Sequence, residues 1–442
     1  MKEVMIIGGG LAGSDAAYYL ASRGIKTTLV DMKPKKFTPA HESENFGELV
    51  CSNSLKSNDF YANACGLLKE EMRKLGSLVI QAADATSVPA GAALAVDREE
   101  FSKYITQKLR ALDTLTIVSE EAGKLPELEK DGDRYAIIAT GPLTSDALSK
   151  DIQEKMGGNL HFFDASAPIV SAESVDMEKA FTGDRYGKGT GDYINCPMNK
   201  EEYYAFVDEL LAAEKAELHA FEKREIFEGC MPVEVMCSRG KDTLRFGTLK
   251  PVGLFDQQGN RPYAVLQLRK ENQAGTAYNL VGFQTNLKFP EQKRVFSMIP
   301  ALHNAEFLRY GVMHRNTYIH SPSVLNRDFS FKNNRRIFFA GQITGVEGYV
   351  ESAASGLLAA ITIYDEIVGN PKKMFSDNTV CGALQTHIST PNKDFQPMNA
   401  NFGILSPLPV RIKDKKERYK TLALRALAEM DAYIQDAHIQ KE

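Results

Sequence analysis

The 442-residue chain is 43% hydrophobic and 25% charged, with 53 basic and 57 acidic side chains and a formal net charge of −4. That composition belongs to an ordinary globular protein and excludes a disordered tail, a collagen-like chain and a disulfide miniprotein. At about 150 residues per domain the length suits two or three domains. The balanced charge excludes a uniformly basic, histone-like nucleic-acid binder but not a local basic face, because binding follows the local field.

The opening apolar run, Val4–Ile7, predicts a short strand buried on both faces. Gly8, Gly9 and Gly10 form a turn, and Leu11–Ser22 follows with apolar residues at helical spacing, closed by Gly24. Asp15 and Arg23 interrupt the apolar stretch, which is unlike a signal peptide. Thr27–Val30 is a second strand, ending at Asp31.

From Pro34 to Asn63 the chain is polar and irregular, and a stretch of this kind is more often a functional loop than filler. Helices are expected at Leu67–Leu75 and Asp97–Leu112, a buried strand at Tyr135–Ala139 and a short helix at Asp151–Met156. Residues from about Ile169 to Pro300 change character, mixing a charged helical stretch (Lys200–Glu228) with strand-like runs at Ala264–Leu268 and Tyr278–Gly282. Ile337–Ala340 is a third buried strand, running into Gly341-Gln342 and a small-residue helix, Ser352–Ile367. Asp414–His438 reads as a charged amphipathic helix. The longest apolar runs, such as Leu357–Ile363, fall far short of the roughly 20 residues of a membrane span. A cytoplasmic protein with no membrane segment is expected.

Gly8-x-Gly10-x-x-Gly13 lies between a strand and a helix, with Asp31 at the end of the next strand, which is the full context of a Rossmann dinucleotide fingerprint. The helix N-terminus offers free N–H groups to a pyrophosphate, and the Asp31 carboxylate can accept ribose hydroxyls. The strand into Ala139-Thr140-Gly141 and the segment Ile337–Gly356 favour FAD over a nicotinamide as the bound dinucleotide, and no second fingerprint for NADPH is present. The expected fold is α/β: a Rossmann-like FAD-binding domain of the glutathione-reductase-like flavoprotein type, built from 1–170 and 300–442, with an inserted α+β, substrate-facing domain at 171–299. Expected cofactor contacts are Gly8, Gly9, Gly10, Leu11, Ala12, Gly13, Asp31, Gly141, Gly341, Gln342, Gly348 and Tyr349.

Six cysteines occur, at 51, 65, 196, 230, 237 and 381, with no CxxC pair and no accompanying His cluster. Neither a metal site nor a disulfide framework is expected, and the default for each is a reduced, buried side chain. Cys51 departs from that default because it lies in the polar loop; Cys230 precedes the alternation Met231, Val233, Val235, which fits a buried strand.

The segments MIIGGGLAGSDAA, ELVCSNSLKSN, NACGLLKEEMR, SVPAGAALAVDREEF, FEGCMPVEVM, LKPVGL, FQTNLKFPEQKRVFSMIP, YGVMHRNTYI, FFAGQITGVEGYVESAASG and FQPMNANFGIL run from Met5 to Leu405. Together they resemble the folate- and FAD-dependent tRNA (uracil-5-)-methyltransferases of bacteria over almost the whole chain. The larger flavoproteins that modify the wobble uridine are similar, but their CNPAIGG-like cysteine segment is absent; Cys65 and His387 depart from the expected pattern without touching the core motifs.

The resemblance implies a chemistry. Uracil C5 is a poor nucleophile until a thiolate adds to C6; C5 can then attack a one-carbon electrophile, a base removes its proton, and a hydride reduces the exocyclic methylene. The resemblance implies 5,10-methylenetetrahydrofolate as the carbon donor, reduced FAD as the hydride donor and NAD(P)H to recharge it. It implies Cys230 as the nucleophile and Cys51 as the general base or its protector, with the division between them open. Cys237 is read as structural. Lys56, Arg239 and Lys241 are the candidate cations that would favour a thiolate, by sequence proximity alone. The family's folate stacks on the flavin; Phe221, Arg294, His314 and Arg315 are candidate folate contacts.

The expected substrate is the tRNA T-loop, with a ribosomal RNA uridine as the alternative target of the same chemistry. A plain NAD(P)H-flavin oxidoreductase would leave Cys51 and Cys230 without a role, and a flavin-binding RNA chaperone would be indifferent to serine at Cys230. Candidate phosphate-binding clusters are Lys33/Lys35/Lys36, Arg239/Lys241/Arg245, Lys332/Arg335/Arg336 and Arg411–Lys420, the last with six basic residues against two acidic. Oligomeric state is not legible in the sequence.

Overall fold

A computed structural model describes residues 2–38, 40–156, 160–187, 191–216, 231–256, 258–393 and 395–436, with the backbone alone for 160–165 and 313–315. The chain opens with β1 (Glu3–Ile7), α1 (Leu11–Ala21), β2 (Lys26–Asp31), β3 (Ser54–Ser57), α2 (Ala64–Leu75), α3 (Leu78–Ala85), β4 (Ser87–Val88), β5 (Ala93–Val96) and α4 (Arg98–Arg110). β6 (Leu115–Ser119), β7 (Arg134–Ile138), α5 (Asp146–Met156) and β8 (Leu160–Ala165) follow. Next come β9 (Ile169–Ser171), β10 (Phe181–Thr182), β11 (Tyr193–Met198), α6 (Lys200–Ala212), α7 (Val233–Ser238), α8 (Thr243–Phe246), β12 (Ala264–Lys270), β13 (Ala277–Leu280), α9 (Phe289–Phe296) and β14 (Phe307–Arg309). The chain closes with β15 (Met313–Tyr318), α10 (Ser321–Val324), β16 (Ser330–Phe331), β17 (Asn334–Phe339), α11 (Tyr349–Val368), α12 (Val380–His387) and α13 (Lys415–Asp436).

The first sheet has the order β16-β17-β7-β1-β2-β6 and is parallel except at the β16/β17 edge. In register, Ile6 stands beside Leu29 and Ile137, and all three are fully buried. Helices cover the sheet, and Tyr135–Ile138 of β7 are buried on both faces, so that strand is a continuous apolar run; in β1, Met5 remains 39% exposed. Among the covering helices, α1 and α11 pack against each other. A Cβ on Gly356 would lie 2.0 Å from the carbonyl oxygen of Ala12, so the two backbones meet only because no side chain intervenes. The Gly/Ala/Ser composition of α11 follows from that contact.

The second sheet, β10-β11-β12-β13-β9-β14, is antiparallel and packs α6 through Tyr203, Phe206, Val207 and Leu210 against Leu266, Leu268 and Leu280. β8 precedes it and β15 follows it, and the two pair antiparallel, so the chain enters and leaves the second sheet through one two-stranded ribbon. The fold is thus an α/β, Rossmann-like parallel sheet joined to an α+β unit. Among the described residues no helix is long and apolar enough to cross a membrane.

Several local expectations shift. α3, an element the sequence did not suggest, follows α2 after the turn at Gly76-Ser77, where Ser77 Oγ caps Ile80 N–H at 3.2 Å. Asp97 is the N-cap of α4 and not its first residue. The alternation after Cys230 forms helix α7 and not a strand: Pro232 starts it, Val233 N–H donates to Gln284 O at 2.7 Å, and Val233 and Cys237 face the core. Glu234 is fully buried there, accepting Thr285 Oγ1 at 3.0 Å and Asn286 N–H at 2.8 Å, and these bonds hold α7 to the 284–286 segment. The stretch from Lys200 is helical to Ala212.

Candidate active site

At one edge of the parallel sheet the chain turns away after β1, β2, β7 and β17, and these turns enclose a cleft of about 1120 Å³ of empty space, open to solvent. In open parallel sheets ligands bind at this edge, beyond the strand C-termini. Gly8, Gly9, Gly10, Leu11, Ala12, Asp31, Gly141, Gly341, Gln342 and Tyr349 all line it. Gly13 and Gly348 do not: a Cβ on Gly13 would lie 1.8 Å from Gly8 O, and Gly348 is the N-cap of α11.

The geometry fits a dinucleotide. Gly8 has φ +105°, and a Cβ there would lie 2.5 Å from Ala139 O, so the turn between β1 and α1 closes only with glycine. At Gly10 a Cβ would meet nothing within 4 Å, which leaves an open face of backbone toward the cleft. α1 has no capping side chain and no acidic residue in its first turn, and neither does Gly348 cap α11 with a side chain. The uncapped N–H groups and the helix dipole at α1 suit a pyrophosphate. Asp31 Oδ2 accepts Gly9 N–H at 2.6 Å and Oδ1 accepts Lys33 N–H at 2.9 Å. Each oxygen keeps a lone pair for a ribose hydroxyl. Behind Asp31, Lys33 is buried and donates to Ser43 O at 3.2 Å and to Asn45 O; burial pushes its ammonium below the usual lysine range, against the pull of Asp31 and Glu48.

Cys51 is half-buried in the loop beside this cleft. The Tyr349 hydroxyl, at the start of α11, accepts the N–H of Cys51 at 2.7 Å and that of Ser52 at 3.2 Å. Burial raises the Tyr349 phenol, with a further rise from Cys51, so the hydroxyl stays neutral and available as a partner. The same loop is fastened from the other side. Arg269 Nε donates to Asn53 Oδ1 at 2.9 Å and its Nη2 to Ser52 Oγ at 2.7 Å. Asn53 in turn donates to Val96 O at 2.9 Å and Lys270 O at 2.8 Å. Arg98 donates to Leu49 O at 2.6 Å and to Glu271 Oε2 at 3.0 Å.

The cations around the Cys51 loop are therefore Arg98 and Arg269, which sequence proximity did not suggest. Lys56 is bonded to Asn399 Oδ1 at 2.7 Å and paired with Glu351 at 3.4 Å, and Lys241 is paired with Asp208. Arg98 lies 47 positions from Cys51 and Arg269 lies 218 away, in the second sheet, so no local motif joins them. The remaining described cysteines are buried; burial pushes the Cys65 and Cys237 thiols up to about 11 and raises Cys196 and Cys381.

Cys230 and Phe221 lie outside the described residues. Arg294 is on the surface of α9, paired with Glu291 at 2.7 Å and with Glu209, and does not line the cleft. Its two carboxylates leave it poorly placed for a third. His314 and Arg315 stand in β15 opposite Asp164 and Phe163 of β8. Two residues beyond Arg315, Thr317 N–H donates to Pro142 O at 2.8 Å, which brings the end of β15 to the rim of the cleft. Among the described residues no group of three or more His, Cys, Asp or Glu side chains could hold a metal ion.

The sequence profile of the family described as Glucose inhibited division protein A matches residues 3–371. A protein of Acetivibrio thermocellus named methylenetetrahydrofolate–tRNA-(uracil-5-)-methyltransferase TrmFO is 56% identical over 434 residues, covering 98% of each chain. A protein of the same name from Staphylococcus aureus is 54% identical over 430 residues, 96% of this chain and 97% of its own. The crystal structure of Aquifex aeolicus GidA shares the fold, with a TM-score of 0.71 at 15% identity, covering 100% of this chain and 74% of that one. End-to-end identity of this degree shows that the chain belongs to the Glucose inhibited division protein A family and, within it, to the methylenetetrahydrofolate–tRNA-(uracil-5-)-methyltransferases, TrmFO.

Proposed function

We propose that the chain methylates C5 of a uridine in the tRNA T-loop, with 5,10-methylenetetrahydrofolate as the carbon donor and FADH2, recharged by NAD(P)H, as the reductant. The observation that carries this reading is the hydrogen bond between Tyr349 and Cys51, which ties a cysteine loop to a dinucleotide-shaped cleft. A plain oxidoreductase has no need of a thiol held at that place.

Gly8–Ala12 and the N-terminus of α1 would hold the pyrophosphate of FAD, and Asp31 a ribose. When bound and reduced, FAD supplies the hydride that converts a methylene on C5 to methyl. Cys230 adds to uracil C6 and raises electron density at C5. Cys51 takes the C5 proton, from a loop kept in position by Tyr349, Asn53 and Arg269. The Arg98 and Arg269 guanidinium groups outnumber the one carboxylate beside them among the described residues, Glu271, and leave a positive field around that loop, which favours a thiolate over a thiol.

The test is a methylation assay with an unmodified tRNA transcript, methylenetetrahydrofolate labelled in its one-carbon group, and NAD(P)H. Label in 5-methyluridine of the T-loop is expected, and Cys230→Ser should abolish it while the protein stays yellow. A yellow, NAD(P)H-oxidising protein that labels no RNA would be a plain oxidoreductase.

A further inference from the structure

Four basic clusters stand out in the sequence, and the fold treats them differently. Lys36 is paired with Glu121 at 2.7 Å, Lys241 with Asp208, and Arg245 with Asp242 at 3.8 Å. Arg335 is paired with Asp328 at 2.9 Å, and Arg336 with Glu366 at 3.6 Å. By contrast, none of Arg411, Lys413, Lys415, Lys416, Arg418 and Lys420 has an ion-pair partner among the described residues, and all but Arg418 are exposed.

The arrangement is locally unfavourable. Four of these cations sit in the first two turns of α13, where the helix dipole is already positive. Lys416 and Lys420 are like charges one turn apart, which adds repulsion. The interspersed Asp414 accepts Glu417 N–H at 2.7 Å and so serves the helix start. With Asp414 and Glu417 the only acids among six cations, the segment keeps an excess of positive charge that an external polyanion would relieve.

Aromatic rings are interleaved with the charges. Lys415 Nζ lies 5.3 Å from the Tyr419 ring centre and Arg418 5.6 Å from it. Lys420 Nζ lies 5.7 Å from the ring of Tyr61, which is 39% exposed. A relay of contacts links the patch to the cysteine loop. Tyr419 stacks on Phe402 at 4.4 Å, and just before Phe402, Ala400 N–H donates to Glu351 Oε1 at 2.9 Å. Glu351 is two residues beyond Tyr349, which holds Cys51.

We propose that segment 411–414, the first turns of α13 and Tyr61 form the docking surface for the sugar-phosphate backbone of the substrate RNA; this rests on the reading of the chain as a tRNA methyltransferase. The exposed cations neutralise phosphates and release their counterions. Tyr61 packs against Phe60 at 4.3 Å and keeps 39% of its surface exposed, which sets an aromatic side chain beside the cations.

The test compares the wild-type protein with the triple variant Lys413→Gln, Lys415→Gln, Lys416→Gln in binding an unmodified tRNA transcript across a salt series. The variant should bind more than ~10-fold more weakly near 0.1 M salt, and its salt slope should be shallower by roughly 2 to 3, at about 0.9 per lost phosphate contact. Its melting temperature should hold or rise, because cations have left a helix N-terminus. The matching Lys→Arg triple should bind like wild type. Unchanged affinity and slope in the Gln variant would overturn the proposal, as would an equal loss in the Arg variant. So would a Gln variant that keeps tRNA binding but loses binding to phosphatidylglycerol vesicles, which would make the face a lipid contact. A wild-type protein that neither binds nor methylates tRNA would instead sink the reading of function, whereas one that does both with the Gln variant unaffected sinks the docking surface alone.

Discussion

The hydroxyl of Tyr349 accepts the backbone N–H of Cys51 across 298 positions of sequence, at 2.7 Å. Tyr349 is also the first residue of α11 and a wall of the cleft. One side chain thereby couples the position of a thiol to the site where the cofactor is proposed to lie. Tyr349→Phe keeps the ring and removes the acceptor from two N–H groups. At about 1–3 kcal/mol for a lost buried partner, methylation should fall between roughly 5- and 150-fold. The fall should be in kcat with bound flavin retained. Full activity in the variant would mean that the loop is held by Arg269 and Asn53 alone.

Arg269 reaches the cysteine loop through a fork, Nε to Asn53 and Nη2 to Ser52. Lysine would keep the charge and lose one of the two bonds. In a Cys230→Ser background, alkylation of Cys51 by iodoacetamide at neutral pH should slow more in Arg269→Gln, which loses the cation, than in Arg269→Lys. The other described cysteines are buried and contribute little to the signal. Equal rates in both variants and the parent would remove Arg269 from the electrostatics of the thiol.

Two glycines separate cofactor binding from folding. Gly356→Ala forces a Cβ to within 2.0 Å of Ala12 O, between two packed helices. Overpacking of this kind costs about 1–3 kcal/mol, to be read as a lowered melting temperature. Gly10→Ala places its Cβ in open space on the cleft side. That variant should melt like apo wild type and yet emerge colourless, with weakened binding when FAD is titrated back. A yellow Gly10→Ala protein would put the pyrophosphate elsewhere.

Asp15 is fully buried, accepting Ser77 Oγ at 2.6 Å and Leu78 N–H at 2.6 Å. Burial pushes its carboxyl from 3.8 up to about 7, against the pull of those donors. The native state therefore holds this proton more tightly than the unfolded chain does. Its contribution to stability is greatest at low pH and falls as pH climbs from about 4 to about 7, with no further change above. Asp15→Asn removes the titration, so its melting temperature should vary less than that of wild type between about pH 5 and pH 7. Parallel curves would mean that Asp15 is ionised in the native state throughout.

The sequence by itself determined the strand–helix–strand unit that lines the cleft. Gly8, Gly10, Gly13 and Asp31 lie within that one unit; Gly13 packs on Gly8 O and Gly9 N–H bonds to Asp31 locally, although the close contact that demands glycine at Gly8 is with Ala139 of β7. Apolar runs and helical periods likewise marked β1, α1, β7, β17 and α11 to within a few residues, because central positions of a covered parallel sheet leave a nearly continuous apolar signature. Local pattern misled at α7, where an alternation of apolar residues reads equally as strand or helix until the bonds of Val233 and Glu234 to 284–286 select the helix.

Only the tertiary structure decided what surrounds Cys51. Arg98, Arg269 and Tyr349 come from a helix, the second sheet and α11, and no spacing in the chain relates them. It also decided which basic clusters are neutralised: Arg335 and Arg336 look like any other cationic run until Asp328 and Glu366 are found beside them, while 411–420 meets no such carboxylate among the described residues. A sequence records the charge of each residue, but the field at a point depends on distances, and those exist only once the chain is folded.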